Sequence, residues 1–498
     1  MWTRIERNTF LLGLLSLFWF VFRTGRKPSR AVYPCQQAAA LNANLWFAIY
    51  VSPIYFYVRD GISFLENRAR VILVVAVIVV ASAVVYLYYP IPPKKNEPDG
   101  VLTGDYDTDI GTSLTNQSSS LSPSTDIFVV RGTNGGDDGI DRLINLMGSQ
   151  DLAFYLTDSK GRNCGPEGLI AREDVLLIKV NCQWDERGGT NTDLLRSLIR
   201  AILDHPEGFS GEIVVADNGQ GQYGSSGSGG SLDWSNNNAE DISQSVQAVV
   251  DSFAASHRVS TYLWDSITTT RVMEYSEGDL KDGYVVNDTA NSMTGIMVSY
   301  PKFTTEYGTH ISFKHGVWDH ETKTYDRYSL KVINVPVLKT HSTYGVTACV
   351  KHYMGVPSDK LTTRLGSRTH NTIADGGMGT EMAETRFPVL NILDAIWVNA
   401  NSPEGTRAGP HTSYQQATEV NIIAASTDPV AMDYWASKNI LMQAIPDGSD
   451  LTLIDPDYME ASSFGRWLRL SMEEIVKAGY TVVMNEAQMN VYITSQNP

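Results

Sequence analysis

Lys331–Val356 reads KVINVPVLKTHSTYGVTACVKHYMGV, and the fold turns on how this stretch divides. Lys331–Leu338 is apolar and β-branched, interrupted by Asn334 and Pro336, and predicts a buried strand. It runs out into Lys339-Thr340-His341-Ser342, four side chains able to donate or accept protons. Gly345 follows, and the apolar run carrying Lys351 and His352 predicts a helix. In α/β proteins a strand that opens onto a polar turn and then a helix is the usual place for a ligand. Two lysines and two histidines within fourteen residues suit an anionic or metal-bearing ligand, and the chain is otherwise poor in lysine.

The surrounding pattern sets the fold class. Asp126–Val130 predicts a strand, and Ile140–Met147 begins a helix. Asp174–Val180 (DVLLIKV) is a buried strand ending at Asn181. Asp193–Leu203 places Leu194, Leu195, Leu198, Ile199 and Ile202 at helical spacing. Gly211–Ala216 is another buried strand, ending at Asp217, and Ser243–Ser256 predicts a helix. This β-α-β-α alternation predicts an α/β domain with a mostly parallel sheet and helices on both faces. Tyr284–Val286, Ile296–Tyr300 and Ile311–Phe313 predict an antiparallel insertion within Thr261–Trp318. Val389–Val398 reads as a strand or a helix, and Ala417–Ala425 as a strand. Pro429 starts a helix capped by Ser426 or Asp428. Phe464–Lys477 is a closing helix, and Tyr480–Met484 and Val491–Thr494 are last strands. Gly219–Gly230 is glycine-rich but lacks phosphate-loop spacing, and reads as a flexible surface loop.

The first hundred residues are different in kind. Val71–Tyr89 (VILVVAVIVVASAVVYLYY) holds no charge, is preceded by Arg68 and Arg70, and predicts a transmembrane helix. Ala38–Val58 and Thr9–Phe22 are further apolar candidates, so residues 1–91 form a membrane region with two or three helices. Residues 92–125 are rich in Ser, Thr, Asn, Asp and Pro and predict a flexible linker before a domain at 126–498.

Formal net charge is -16, unevenly spread. Residues 1–95 hold 11 Lys/Arg and only Glu6, Asp60 and Glu66, which leaves 28 of the 39 basic and 52 of the 55 acidic residues beyond them. So acidic a domain excludes a nucleic-acid partner, because phosphates need a basic surface. Flanking charge does not orient the membrane region. The Lys-poor, Ser/Thr/Asn-rich composition, with acceptor sequons at Asn116 and Asn287, favours an extracytoplasmic domain at a cell membrane. Cys35, Cys164, Cys182 and Cys349 form no CxxC pair, so no iron–sulfur cluster is expected. They read as small buried residues; a Cys164–Cys182 disulfide is left undecided.

Four segments together resemble the domain of unknown function 362 family: Leu177–Asn181 (LIKVN), Asn334–His341 (NVPVLKTH), Val346–Gly355 (VTACVKHYMG) and Ser426–Asp433 (STDPVAMD). The resemblance runs from about Asp126 to Thr494, and Phe22–Gln37 is similar to membrane-attached members. It implies no established activity. Some members are joined to ferredoxin-like iron–sulfur modules, but this chain lacks the clustered cysteines. Where members often have Lys-Asn, this chain has Lys351-His352.

Seven of the nine histidines lie between His310 and His411. His341, with His352 and His370, follows the motif. Lys339 and His341 are the candidate catalytic acid–base groups, and His341 and His370 the candidate metal ligands, a divalent metal being the candidate cofactor. Lys179, Asn181, Lys351, His352, Asp217 and Asp428 are the candidate ligand-binding residues, since parallel strands bring their carboxyl ends to one edge. Asp217, Asp428 and Asp433 are the expected carboxylate partners of the lysines. Two functions fit: a membrane-anchored domain that binds a small anionic or metal-bearing ligand and acts on it as an enzyme of unknown reaction, or a non-catalytic binding or redox-partner module at the membrane surface.

Overall fold

The computed structural model describes residues 124–219, 229–275, 278–364, 369–400 and 411–495. In chain order the strands are β1 (Thr125–Arg131), the short pair β2 (Tyr155–Leu156) and β3 (Cys164–Gly165), β4 (Val175–Lys179), β5 (Glu212–Asp217) and β6 (Val259–Leu263). Then come β7 (Gly283–Val286), β8 (Ser299–Thr304), β9 (His310–Ser312), β10 (Gly316–Asp319) and β11 (Thr324–Asp326). The last are β12 (Leu330–Asn334), β13 (Val337–His341), β14 (Gly345–Thr347), β15 (Leu390–Asn399), β16 (Ala417–Ser426) and β17 (Met489–Ser495).

The main sheet runs β17-β1-β16-β15-β12-β4-β5-β6, with β13 paired to β15 and β14. It is largely parallel; β16 and β14 are the strands that run against their neighbours. Alternation along the strands divides the core. Ile127, Val129, Leu177, Val214 and Val332 belong to one apolar cluster, which continues into the helices Gly377–Glu384, Pro429–Ala436 and Phe464–Lys477. Phe128, Val130, Leu176, Ile178 and Val215 belong to the other, which takes in the helices Gly139–Gly148, Thr192–Leu203 and Val246–Ala254. A strand buried on both faces must be apolar at every position, which is why DVLLIKV shows no alternation. The insertion is a separate antiparallel sheet, β11-β10-β9-β8-β7.

Local chemistry sets the element ends. Asn191 Oδ1 accepts from the backbone N–H groups of Asp193 and Leu194 and caps Thr192–Leu203. Asp428 Oδ1 caps Pro429–Ala436 through Val430 and Ala431 N–H.

Several expectations need correction. The strand expected over Lys331–Leu338 is two strands, β12 and β13, broken at Val335-Pro336. Val259–Leu263 forms an edge strand that was not anticipated. Tyr480–Met484 joins no sheet; Val483 N–H donates to Asp428 Oδ2 instead of a strand neighbour. Val389–Val398 resolves as the strand β15. Cys164 and Cys182 are both free thiols, Cys182 buried and Cys164 partly exposed. Among the described residues no helix is long and apolar enough to cross a membrane. The apolar runs within residues 1–91, the linker over 92–123 and residues 220–228 of the glycine-rich segment lie outside the described residues.

Candidate functional site

Asn334 on β12 lies in register with Lys179 on β4, and Val335 N–H makes the next bond, to Lys179 O at 2.8 Å. Pro336 then brings no N–H to continue the ladder. Beyond it the chain stays with β15, Val337 opposite Asp394 and Lys339 opposite Asn399, and leaves β4. The sheet therefore splits at its carboxyl edge. β14 folds back on β13, pairing Thr347 with Lys339. The short helix Cys349–His352 follows, its start held by Asp433, whose two carboxylate oxygens accept from Cys349 and Val350 N–H at 2.6 and 2.9 Å.

A cavity of about 380 Å³ opens at this split. Lys179, Asn181, Asp217, Lys339, His341, Lys351, His352 and His370 all line it. Asp428 does not, which corrects its expected place among the ligand-binding residues. Its two oxygens are taken by three backbone N–H groups, from Val430, Ala431 and Val483. Asp433 likewise holds backbone rather than a lysine.

The three lysines are buried but differ in their partners. Lys179 Nζ lies 2.7 Å from Asp217 Oδ1 and donates also to Val180 O at 3.2 Å. Asp217 Oδ2 accepts from Cys182 N–H at 2.8 Å. Burial pushes the Lys179 pKa down and the Asp217 carboxylate opposes it. Gly355 is packed against this pair: a Cβ there would stand 2.2 Å from Asp217 Oδ1 and 2.6 Å from Lys179 Nζ.

Lys339 is 1% exposed and its ammonium donates to Gly188 O at 2.6 Å. Lys351 is 6% exposed and reaches Thr347 Oγ1 at 3.3 Å, with its Nζ 5.8 Å from the centre of the Tyr344 ring. Among the described residues neither meets a carboxylate at ion-pair distance. Burial, then the Lys351 charge, pushes the Lys339 amine down to about 7. Burial pushes Lys351 down to about 8.

The histidines take different roles. His341 Nδ1 accepts from Thr343 and Tyr344 N–H at 3.0 and 3.3 Å, so its proton sits on Nε2. Burial, then Lys351, holds its pKa well below the usual imidazole range. His370 Nδ1 lies 2.9 Å from Oδ2 of the fully buried Asp359, whose Oδ1 accepts the His370 N–H. His352 bridges the split, with Nδ1 2.7 Å from Asn334 Oδ1 and Nε2 3.0 Å from Val180 O. Its nitrogens are occupied by protein oxygens, which makes it a strut more than a ligand contact. Among the described residues Asn181 Oδ1 is buried without a partner.

The crowd of histidines in the sequence separates into groups. His310 and His320 pack edge to face with ring centres 4.3 Å apart beside the antiparallel sheet, and His315 stands 3.7 Å from Glu274. Neither set lines the cavity. Among the described residues no three His, Cys, Asp or Glu side chains are grouped so as to hold a metal ion. Trp184, Tyr344, Thr347 and Gly355 also line the cavity and were not singled out. Gly355 had a signal, as the last residue of the family-like segment VTACVKHYMG; Trp184 had none.

The fold and cavity define a mixed α/β protein with a lysine-lined crevice where its parallel sheet divides. Residues 327–438 match the family model described as Domain of unknown function (DUF362). The match takes in Lys339, His341, Lys351, His352 and His370, while Lys179, Asn181 and Asp217 precede it. No curated protein and no solved structure matches the chain.

Proposed function

We propose that the domain binds a small anion in the crevice between β4 and β13. One observation carries the reading: Lys339 and Lys351 are buried together, and neither has a carboxylate partner among the described residues. A buried charge without a counterion is costly, and a bound carboxylate or phosphate removes that cost. The Nε2–H of His341 and the Asn181 amide add neutral donors suited to the same ligand. Lys179 is already neutralised by Asp217 and serves to shape the wall.

The test is thermal unfolding of the purified full chain with inorganic phosphate against chloride at equal ionic strength. At a hundredfold excess over Kd, phosphate stabilises by about 2.7 kcal/mol. Lys339→Met removes that response and keeps the fold. An equal response in the variant contradicts the reading.

The apolar run Val71–Tyr89 and the Ser/Thr/Asn-rich stretch behind it support a tethered domain facing out of the cell. Protease added to intact cells then removes the domain. Full protection until lysis places it inside.

A further inference from the structure

An anion alone accounts for Lys351 but leaves Lys339 with more chemistry than a counterion needs. Its amine lies at the end of β13, 1% exposed, in a cavity that also holds Lys179 and Lys351. Its hydrogen-bond partner is a backbone carbonyl, Gly188 O, which leaves the nitrogen uncommitted to any acid. A lysine that is desolvated and set beside another cation is the arrangement that favours the free amine and makes it a nucleophile. Resting on the anion-binding reading, we propose that Lys339 forms an imine with the carbonyl carbon of an anion that carries a ketone or aldehyde, its anionic group held by Lys351.

The step balances within the site. The Lys339 lone pair attacks the carbonyl carbon, a C–N bond forms, and the π electrons move to oxygen. A proton passes from nitrogen to that oxygen and gives a carbinolamine. The C–O bond then breaks, the oxygen leaves with the second nitrogen proton as water, and C=N remains. No oxidant or reductant enters. His341 presents Nε2–H as the donor that polarises the carbonyl oxygen, since its Nδ1 is occupied by two backbone N–H groups. The effect of burial and of the Lys351 charge on the Lys339 amine, which brings it to about 7, agrees with this geometry. Asp217 and Asp394 act the other way and keep the shift from going further.

Borohydride trapping tests it. The purified full chain is incubated with pyruvate or with dihydroxyacetone phosphate, reduced, digested and mapped by mass spectrometry. The two compounds separate a carboxylate from a phosphate as the anionic group. The expected result is a reduced adduct on Lys339 with at least one of them, none with lactate or glycerol phosphate, and none on Lys302, a buried lysine that does not line the cavity. Mapping the unaltered protein makes the result independent of whether a variant folds. Lys339→Arg keeps a cation and loses the adduct. Adducts confined to Lys351 or to exposed lysines such as Lys160 overturn the assignment. Stabilisation by these anions without any trapped adduct overturns it and leaves anion binding intact. Neither stabilisation nor adduct removes both.

Discussion

Lys302 on β8 and Lys339 on β13 are both fully buried, one in the antiparallel insertion and one at the split of the parallel sheet. Around Lys302 the protein supplies everything an ammonium needs. Met273 O accepts at 2.7 Å, Asp279 O accepts as well, the Asp279 carboxylate stands 3.9 Å away and the Tyr275 ring lies 4.3 Å below. Lys339 has Gly188 O, with Lys351 nearby and, among the described residues, no carboxylate at ion-pair distance. Burial alone therefore says little about role. A buried cation whose donors are used inside the protein holds a structure together, and one left short of acceptors in a cavity is where the proposed anion would sit.

The largest effect is expected at the pair that closes the cavity wall. Asp217→Asn leaves Lys179 buried without its counterion and should cost about 3–5 kcal/mol in denaturant unfolding. Gly355→Ala pushes a methyl group into the same pair and should cost about 1–3 kcal/mol. Near-native stability in both would mean that the Lys179–Asp217 contact is not formed in solution.

Swapping the two contrasted lysines sharpens the comparison. Lys302→Met strands two backbone carbonyls and should cost about 1–3 kcal/mol without altering the response to anions. Lys339→Met removes an unpaired charge and should leave ligand-free stability unchanged or raised, while abolishing the anion response. Equal destabilisation by both would break the distinction.

A further effect is a slope with pH. Lys339, near 7 in the folded state, takes up its proton at about 10.4 when unfolded. Between those values the unfolded chain binds more protons, so ligand-free stability rises with pH across that window. Lys351, near 8, adds to the slope in the upper part of it. A bound anion favours the protonated amines, so its stabilisation is greatest below pH 7 and fades as pH rises through the folded-state values. Melting curves across that range should show the opposed trends, and Lys339→Met should flatten both.

Much of the frame was legible because burial on both faces writes itself as unbroken apolar runs. DVLLIKV and the stretch before Lys339 read this way, while the helices near 193–203 and 464–477 carry an apolar face at helical spacing. β6 (VSTYL) was missed because an edge strand covered on one side carries polar residues. Tyr480–Met484 has strand composition, but Val483 spends its N–H on Asp428. Lysines at strand ends were legible as neighbours, since a parallel sheet gathers its carboxyl ends. Asp428 was misplaced because a carboxylate before Pro429 suits a cap and a ligand site alike, and composition does not say which wins. Only the family-like motif set His341 and His370 apart from His310, His315 and His320; composition and spacing did not divide the histidines in space. That division depends on which sheet each segment joins.

Calorimetric titration of inorganic phosphate into the purified full chain, the Lys302→Met chain and the Lys339→Met chain, at pH 6.5 in matched salt, tests the central claim most directly (about half a unit below the folded-state Lys339 value). The account predicts saturable binding at one site in the first two and its loss in the third. Phosphate binding of equal affinity in all three, or in none, would contradict it.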